Sequence, residues 1–144
     1  MQAASPAIDE STAREWEDAI DGTVVRYHRT NAQTMRLLPG RLEVEEGEDG
    51  RAEIRFVDGP GDPIEVTFGR RSGEPFRHVQ LRSPTVSRDH ARMIRVDGSW
   101  LIENLSETNP ILVNGTQLPR SKRLTLEDGD RVEMGEVVFR YRLP

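Results

Sequence analysis

From Leu37 to the end of the chain, short runs rich in Val, Ile, Phe and Leu are broken at close intervals by clusters of Gly, Asp, Asn and Pro. This punctuation constrains the fold more than any other feature. A helix needs a sustained 3.6-residue repeat, and none interrupts the series. Strands need only a few residues of period-2 alternation between turn signals. Strands are expected at 41–46, 52–58, 64–69, 78–81, 90–96, 99–104, 111–113, 130–135 and 137–143. The turns between them are marked by "GEDG", "DGPGDP", "DGS", "VNGT" and "EDGD". In 51–56, Arg51, Glu53 and Arg55 alternate with Ala52, Ile54 and Phe56, as on a half-buried sheet. Many short strands without intervening helices predict an all-β sandwich over residues 37–144.

Residues 1–36 differ. Six acids and one arginine fall between Asp9 and Asp21. "STAREWEDAID" has helix-start signals, with Ser11 or Thr12 as cap and Glu15 behind, but Gly22 ends the run after too few residues for stability alone. The expectation is an acidic N-terminal tail, part helical or disordered. The chain has no cysteine, which removes disulfides and thiolate zinc sites. Its net charge of -5 disfavours general nucleic-acid binding. No secretory pattern and no membrane-length apolar run is visible, so a cytoplasmic setting is expected.

The stretch "PTVSRDHA" (84–91) places a Ser, an Asp and a His close together and suggests a hydrolase. The surrounding pattern argues otherwise. Ser87 is not in G-x-S-x-G. Asp89 and His90 are adjacent, and neighbours in a strand face opposite ways, so Asp89 does not orient His90 as a triad requires. His28, His78 and His90 are too scattered for a metal pair.

Three fragments at expected strand ends carry complementary chemistry: Phe68-Gly69-Arg70, Ser87-Arg88-Asp89-His90, and Thr108-Asn109 followed by Asn114-Gly115. Sandwich loops gather at the sheet ends, where such fragments can meet. Arg70 supplies a guanidinium fork for phosphate, Ser87 a short hydroxyl, and Asn109 a donor and an acceptor for extended backbone. From Phe68 to Arg95 there are seven arginines and two acids, Glu74 and Asp89, a basic patch within an acidic chain. That balance suits one phosphorylated residue better than a nucleic-acid polymer. Taken singly, Arg70 reads as a surface ion-pair partner, Ser87 as a turn former and Asn109 as a turn residue before Pro110.

Taken in order, Gly69-Arg70, Ser87-x-x-His90, Thr108-Asn109 and Asn114-Gly115 resemble the forkhead-associated (FHA) domain, in its small bacterial-type single-domain form, over roughly 37–144. The resemblance implies an eleven-stranded β-sandwich without catalytic activity or cofactor that reads phosphothreonine peptides. It assigns phosphate binding to Arg70 and Ser87, with Arg88 on the phosphate side. Asn109 takes the peptide backbone and Thr108 an auxiliary contact. Gly69, His90, Asn114 and Gly115 become structural supports. The implied partner is a phosphothreonine protein downstream of a Ser/Thr kinase. A phosphate-independent interaction domain on the same sandwich is the alternative.

Two departures stand out. Pro110 replaces the Gly usual after the Asn, which stiffens the loop and removes one N–H. "RSGEPFRHVQL" (71–81) replaces a short Asp/Asn-rich turn. Arg71, Arg77, Arg82 and Arg92 either attract acidic peptides or pair with Glu on neighbouring strands. Thr12, Thr23, Thr30 and Thr34 in the tail are either ordinary tail residues or phosphorylation sites that would make the tail a self-ligand.

Overall fold

The computed structural model describes residues 36–48 and 51–144. The suggested tail helix and the four tail threonines lie outside these residues. The described chain forms eleven strands: β1 (Leu37–Glu46), β2 (Glu53–Val57), β3 (Ile64–Gly69), β4 (His78–Gln80), β5 (Ala91–Val96), β6 (Ser99–Asn104), β7 (Ile111–Val113), β8 (Thr116–Leu118), β9 (Arg123–Thr125), β10 (Arg131–Met134) and β11 (Val137–Arg142). They pair into a six-stranded sheet, β2-β1-β11-β10-β7-β8, and a five-stranded sheet, β4-β3-β5-β6-β9. All nine strands expected from alternation are present. β8 and β9 are additional, and β1 starts four residues earlier than expected, through an irregular register between Leu37 and Arg41.

Alternation sends one set of side chains between the sheets. Leu42, Ile54, Phe68, Met93, Trp100, Ile102, Val132 and Phe139 are fully or almost fully buried there. Two aromatic pairs span the layers. Phe56 and Trp100 have ring centroids 4.6 Å apart, and Phe68 meets Phe139 edge-on at 6.3 Å. The outward set is mostly ionic. On the six-stranded sheet Arg41 pairs with Glu43 and Glu53, Arg142 with Glu43, and Arg140 with Glu45. On the other sheet Glu103 accepts from Arg92 at 2.8 Å and Arg123 at 3.0 Å.

One topological detail positions the functional loops. β3 and β4 are parallel, with Thr67 opposite His78 and Gly69 opposite Gln80. The 70–77 connection therefore returns the chain along the sheet, and both strands exit at the same end. β5 enters and β6 leaves at that end, because Ala91 is opposite both Phe68 and Asn104. The segments 70–77, 82–90 and 105–110 are thus brought to one rim of the sandwich.

Candidate phosphopeptide-binding site

The rim is assembled by backbone contact. The Arg70 amide donates to Ser87 O at 3.0 Å, the Arg71 amide to Arg88 O at 3.4 Å, and the His90 amide to Phe68 O at 2.8 Å. Gly69 permits this approach. A Cβ there would overlap the Arg88 carbonyl oxygen and lie 2.7 Å from its carbon. The 82–90 loop is also held from the opposite sheet. Thr85 Oγ1 accepts from the Glu136 amide at 2.8 Å, and Gly135 leaves room for the Thr85 backbone. Val86 is completely buried beneath the loop.

His90, fully buried, ties two loops together. Its Nδ1 accepts from the Ser87 amide at 3.1 Å, and Nε2 lies 3.1 Å from Pro110 O. The pattern requires a neutral ring with the proton on Nε2. Burial holds its pKa below the ordinary histidine range, partly offset by the bond to Pro110 O. His78 is likewise depressed by burial; it bonds Thr67 Oγ1 and Arg71 O, each at 2.7 Å, and props the 70–77 connection.

Ser87 and Asn109 meet, with Asn109 Nδ2 donating to Ser87 Oγ at 2.8 Å. Thr108, exposed beside them, has its hydroxyl 3.4 Å from the same Asn109 nitrogen. Arg70 is exposed, and its Nε is anchored on Val86 O at 3.0 Å, so the two Nη groups project from a fixed stem. Arg88 is exposed, and its side chain has no hydrogen-bond or ion-pair partner among the described residues. Asn114 and Gly115 are not at the rim. They turn the chain at the far end of β7, where Asn114 bonds Asp130 Oδ1 at 2.8 Å and the Arg131 amide at 2.9 Å.

The extra arginines sort themselves by pairing. Arg92 is bound by Glu65 and Glu103. Arg71 pairs with Asp89, which leaves Asp89 turned to an arginine rather than to His90. Arg77 is spent on Val57 O and Phe76 O, each at 3.0 Å. Of the four, Arg82 alone has a side chain without such a partner among the described residues.

A sequence profile of the FHA domain matches residues 66–135, the stretch that contains every rim loop. The chain carries an FHA domain. An FHA domain-containing protein of Arabidopsis thaliana is 31% identical over 87 residues, covering 56% of this chain and 22% of that protein. The present chain thus spans about a fifth of that relative. The solution structure of an FHA domain from an Arabidopsis thaliana hypothetical protein superposes with a TM-score of 0.62 at 22% identity, covering 74% of this chain and 86% of that one. An FHA domain solved in work on phosphothreonine-dependent interactions gives 0.57 at 24% identity, covering 74% and 97%. These likenesses establish the sandwich as that of the FHA fold.

Sequence reasoning missed Ser106 and Asn104. Ser106 is buried, and its Oγ lies 2.6 Å from Ser87 Oγ and accepts from the Asn109 amide at 2.9 Å and the Thr108 amide at 3.3 Å. Asn104 Oδ1 accepts from the Ser106 amide at 2.9 Å. The available signal was spacing. "NLSETN" has polar side chains at i and i+2, the pattern of successive Asx and Ser/Thr turns.

Proposed function

We propose that this FHA domain binds phosphothreonine peptides through Arg70, Ser87 and Asn109, and acts as a reader in Ser/Thr kinase signalling in the cytoplasm. Members of the FHA family in general bind such peptides. The observation that carries the reading is the convergence of the three side chains on one rim, with Arg70 held by Val86 O and Asn109 by Ser87. The Arg70 Nη groups offer the phosphate a charged fork, and the Ser87 hydroxyl offers a hydrogen bond. Asn109 Oδ1 is the acceptor for a peptide N–H. Arg88 and Arg82 add positive charge around the ligand.

Binding accounts for the geometry better than catalysis does. His90 meets the Ser87 amide rather than its hydroxyl, and the hydroxyl is surrounded by Asn109 and Ser106, neither of which is a base. Pro110 keeps its carbonyl on His90, so the proline serves the same brace.

The test is retention of a degenerate peptide pool carrying one fixed phosphothreonine, run beside phosphoserine and threonine pools. Selective retention of the phosphothreonine pool, lost in Arg70→Ala, is expected. Partner binding that persists in Arg70→Ala would favour the phosphate-independent interaction domain. Repeating the assay on residues 37–144 measures whether the N-terminal tail competes for the site.

A further inference from the structure

We infer that Ser106 is a positioning residue that fixes the proton of Ser87, so that the Ser87 hydroxyl is committed as a donor to the incoming phosphate. The inference rests on the phosphopeptide-binding reading above and adds a residue to it.

The argument is a count of lone pairs and protons. A serine hydroxyl has one proton and two acceptor sites. Ser106 Oγ accepts from two backbone amides, Asn109 N at 2.9 Å and Thr108 N at 3.3 Å. Both acceptor sites are then occupied. The remaining contact, 2.6 Å to Ser87 Oγ, is made with the Ser106 proton, and Ser106 donates. Ser87 Oγ therefore accepts from Ser106 and, at 2.8 Å, from Asn109 Nδ2. Its two acceptor sites are now filled as well. Its own proton has no partner left on this side and points to the rim, where the Arg70 side chain is held on the neighbouring Val86 O.

This matters because phosphate oxygens only accept. A hydroxyl free to rotate spends part of its time presenting lone pairs to the anion. A hydroxyl whose lone pairs are already occupied presents only its proton. The cost of ordering it has been met during folding, which is preorganisation in its simplest form. The direction also helps. Ser106 donates to Ser87 and Ser87 to phosphate, so each bond polarises the next. Asn109 Nδ2 is turned inward by the same arrangement, leaving Oδ1 for the peptide N–H. Ser106 thus orients both side chains from a buried position behind the rim. Asn104 holds Ser106 in place through the Ser106 amide, and donates to Leu118 O at 2.8 Å.

The experiment is a double-mutant cycle on affinity for the best-retained member of the phosphothreonine pool, using the full chain. Ser87→Ala alone removes a donor to a charged acceptor and is expected to weaken binding roughly 10- to 30-fold. Ser106→Ala is expected to weaken it about 5- to 10-fold. In the Ser106→Ala background, Ser87→Ala should cost no more than about threefold, because the hydroxyl it removes is no longer oriented. A role confined to stability would leave the Ser87→Ala effect the same in both backgrounds, and that result overturns the inference while the phosphopeptide reading stands. Absence of phosphothreonine-selective binding in the unmutated chain overturns both. If Ser106→Ala does not fold, Ser106→Cys preserves the volume with a much weaker donor and acceptor, and the same cycle is read in that background.

Discussion

Replacing Gly69 with Ala tests the close approach on which the rim is built. The added carbon overlaps Arg88 O and falls 2.7 Å from Arg88 C and 3.2 Å from Asp89 Cα, all backbone atoms that no side-chain rotation can move aside. β3 and the 87–90 loop must separate. Three backbone bonds bridge them: Arg70 N to Ser87 O, Arg71 N to Arg88 O and His90 N to Phe68 O. At about 1 kcal/mol net for each, their loss costs about 2–3 kcal/mol. Overpacking strain adds about 1–3 kcal/mol. The expected destabilisation is about 3–6 kcal/mol, a large share of the roughly 5–15 kcal/mol typical of a domain. Urea unfolding followed by tryptophan fluorescence measures it as a fall in midpoint at unchanged slope. Gly115→Ala is the internal control. Gly115 has φ +82°, and a Cβ there meets nothing within 4 Å, so only backbone strain of about 1–2 kcal/mol is incurred. If Gly69→Ala costs no more than Gly115→Ala, the steric account of the rim is wrong.

Acidification should destabilise the domain through its two buried histidines. The folded-state pKa of both His78 and His90 is depressed, so the unfolded chain binds more protons. Stability is full above the unfolded value of about 6.5 and is lost as pH falls from there toward the folded values, at up to about 1.4 kcal/mol per pH unit for each ring. Denaturant midpoints between pH 7.5 and 5 check this, with a flat profile as the contrary result. Glu103 behaves in the opposite sense to a carboxylate governed by burial alone. Burial pushes its pKa up, but Arg92 and Arg123 outweigh it and hold the carboxyl below its ordinary value. Glu103→Gln should therefore lower stability at neutral pH, with the deficit shrinking as pH falls below about 4; a deficit independent of pH counts against the ion-pair account. Arg82→Ala and Arg88→Ala should each slow phosphopeptide association about two- to fivefold at low salt, whereas removing Arg71 and Asp89 together (Arg71→Ala with Asp89→Ala), which takes away an ion pair without changing the net charge, changes it less. Stopped-flow rates at two ionic strengths distinguish these cases.

The strands that could be read in advance were those with two or more inward apolar residues, such as Ile54 and Phe56 in β2. β8 and β9 escaped notice because each has only three residues, with a single leucine in each, and they lie on sheet edges where little needs to be buried. The site divides along similar lines. Gly69, Arg70, Ser87, His90 and Asn109 were legible as an ordered set. The reason for Gly69 was not, because the crowding comes from Arg88, nearly twenty residues away in sequence. Ser106 was invisible as one serine among several until folding placed its oxygen between two amides and Ser87. The fate of the arginines was equally hidden. Whether Arg92 is available to a ligand depends on Glu65 and Glu103, which only strand pairing brings alongside.

Thr85 links the 82–90 loop to the turn between β10 and β11, although that loop otherwise belongs to the five-stranded sheet. A ligand that grips 87–90 is therefore coupled to both layers at once. In hydrogen-exchange terms, the Ser87 and Glu136 amides should open together, in whole-domain excursions rather than by fraying of a surface loop. Occupancy of the rim would then be felt as a rise in the melting temperature of the entire sandwich. Conversely, sequence drift in the remote β10–β11 turn would reach the proposed binding rim through one threonine hydroxyl.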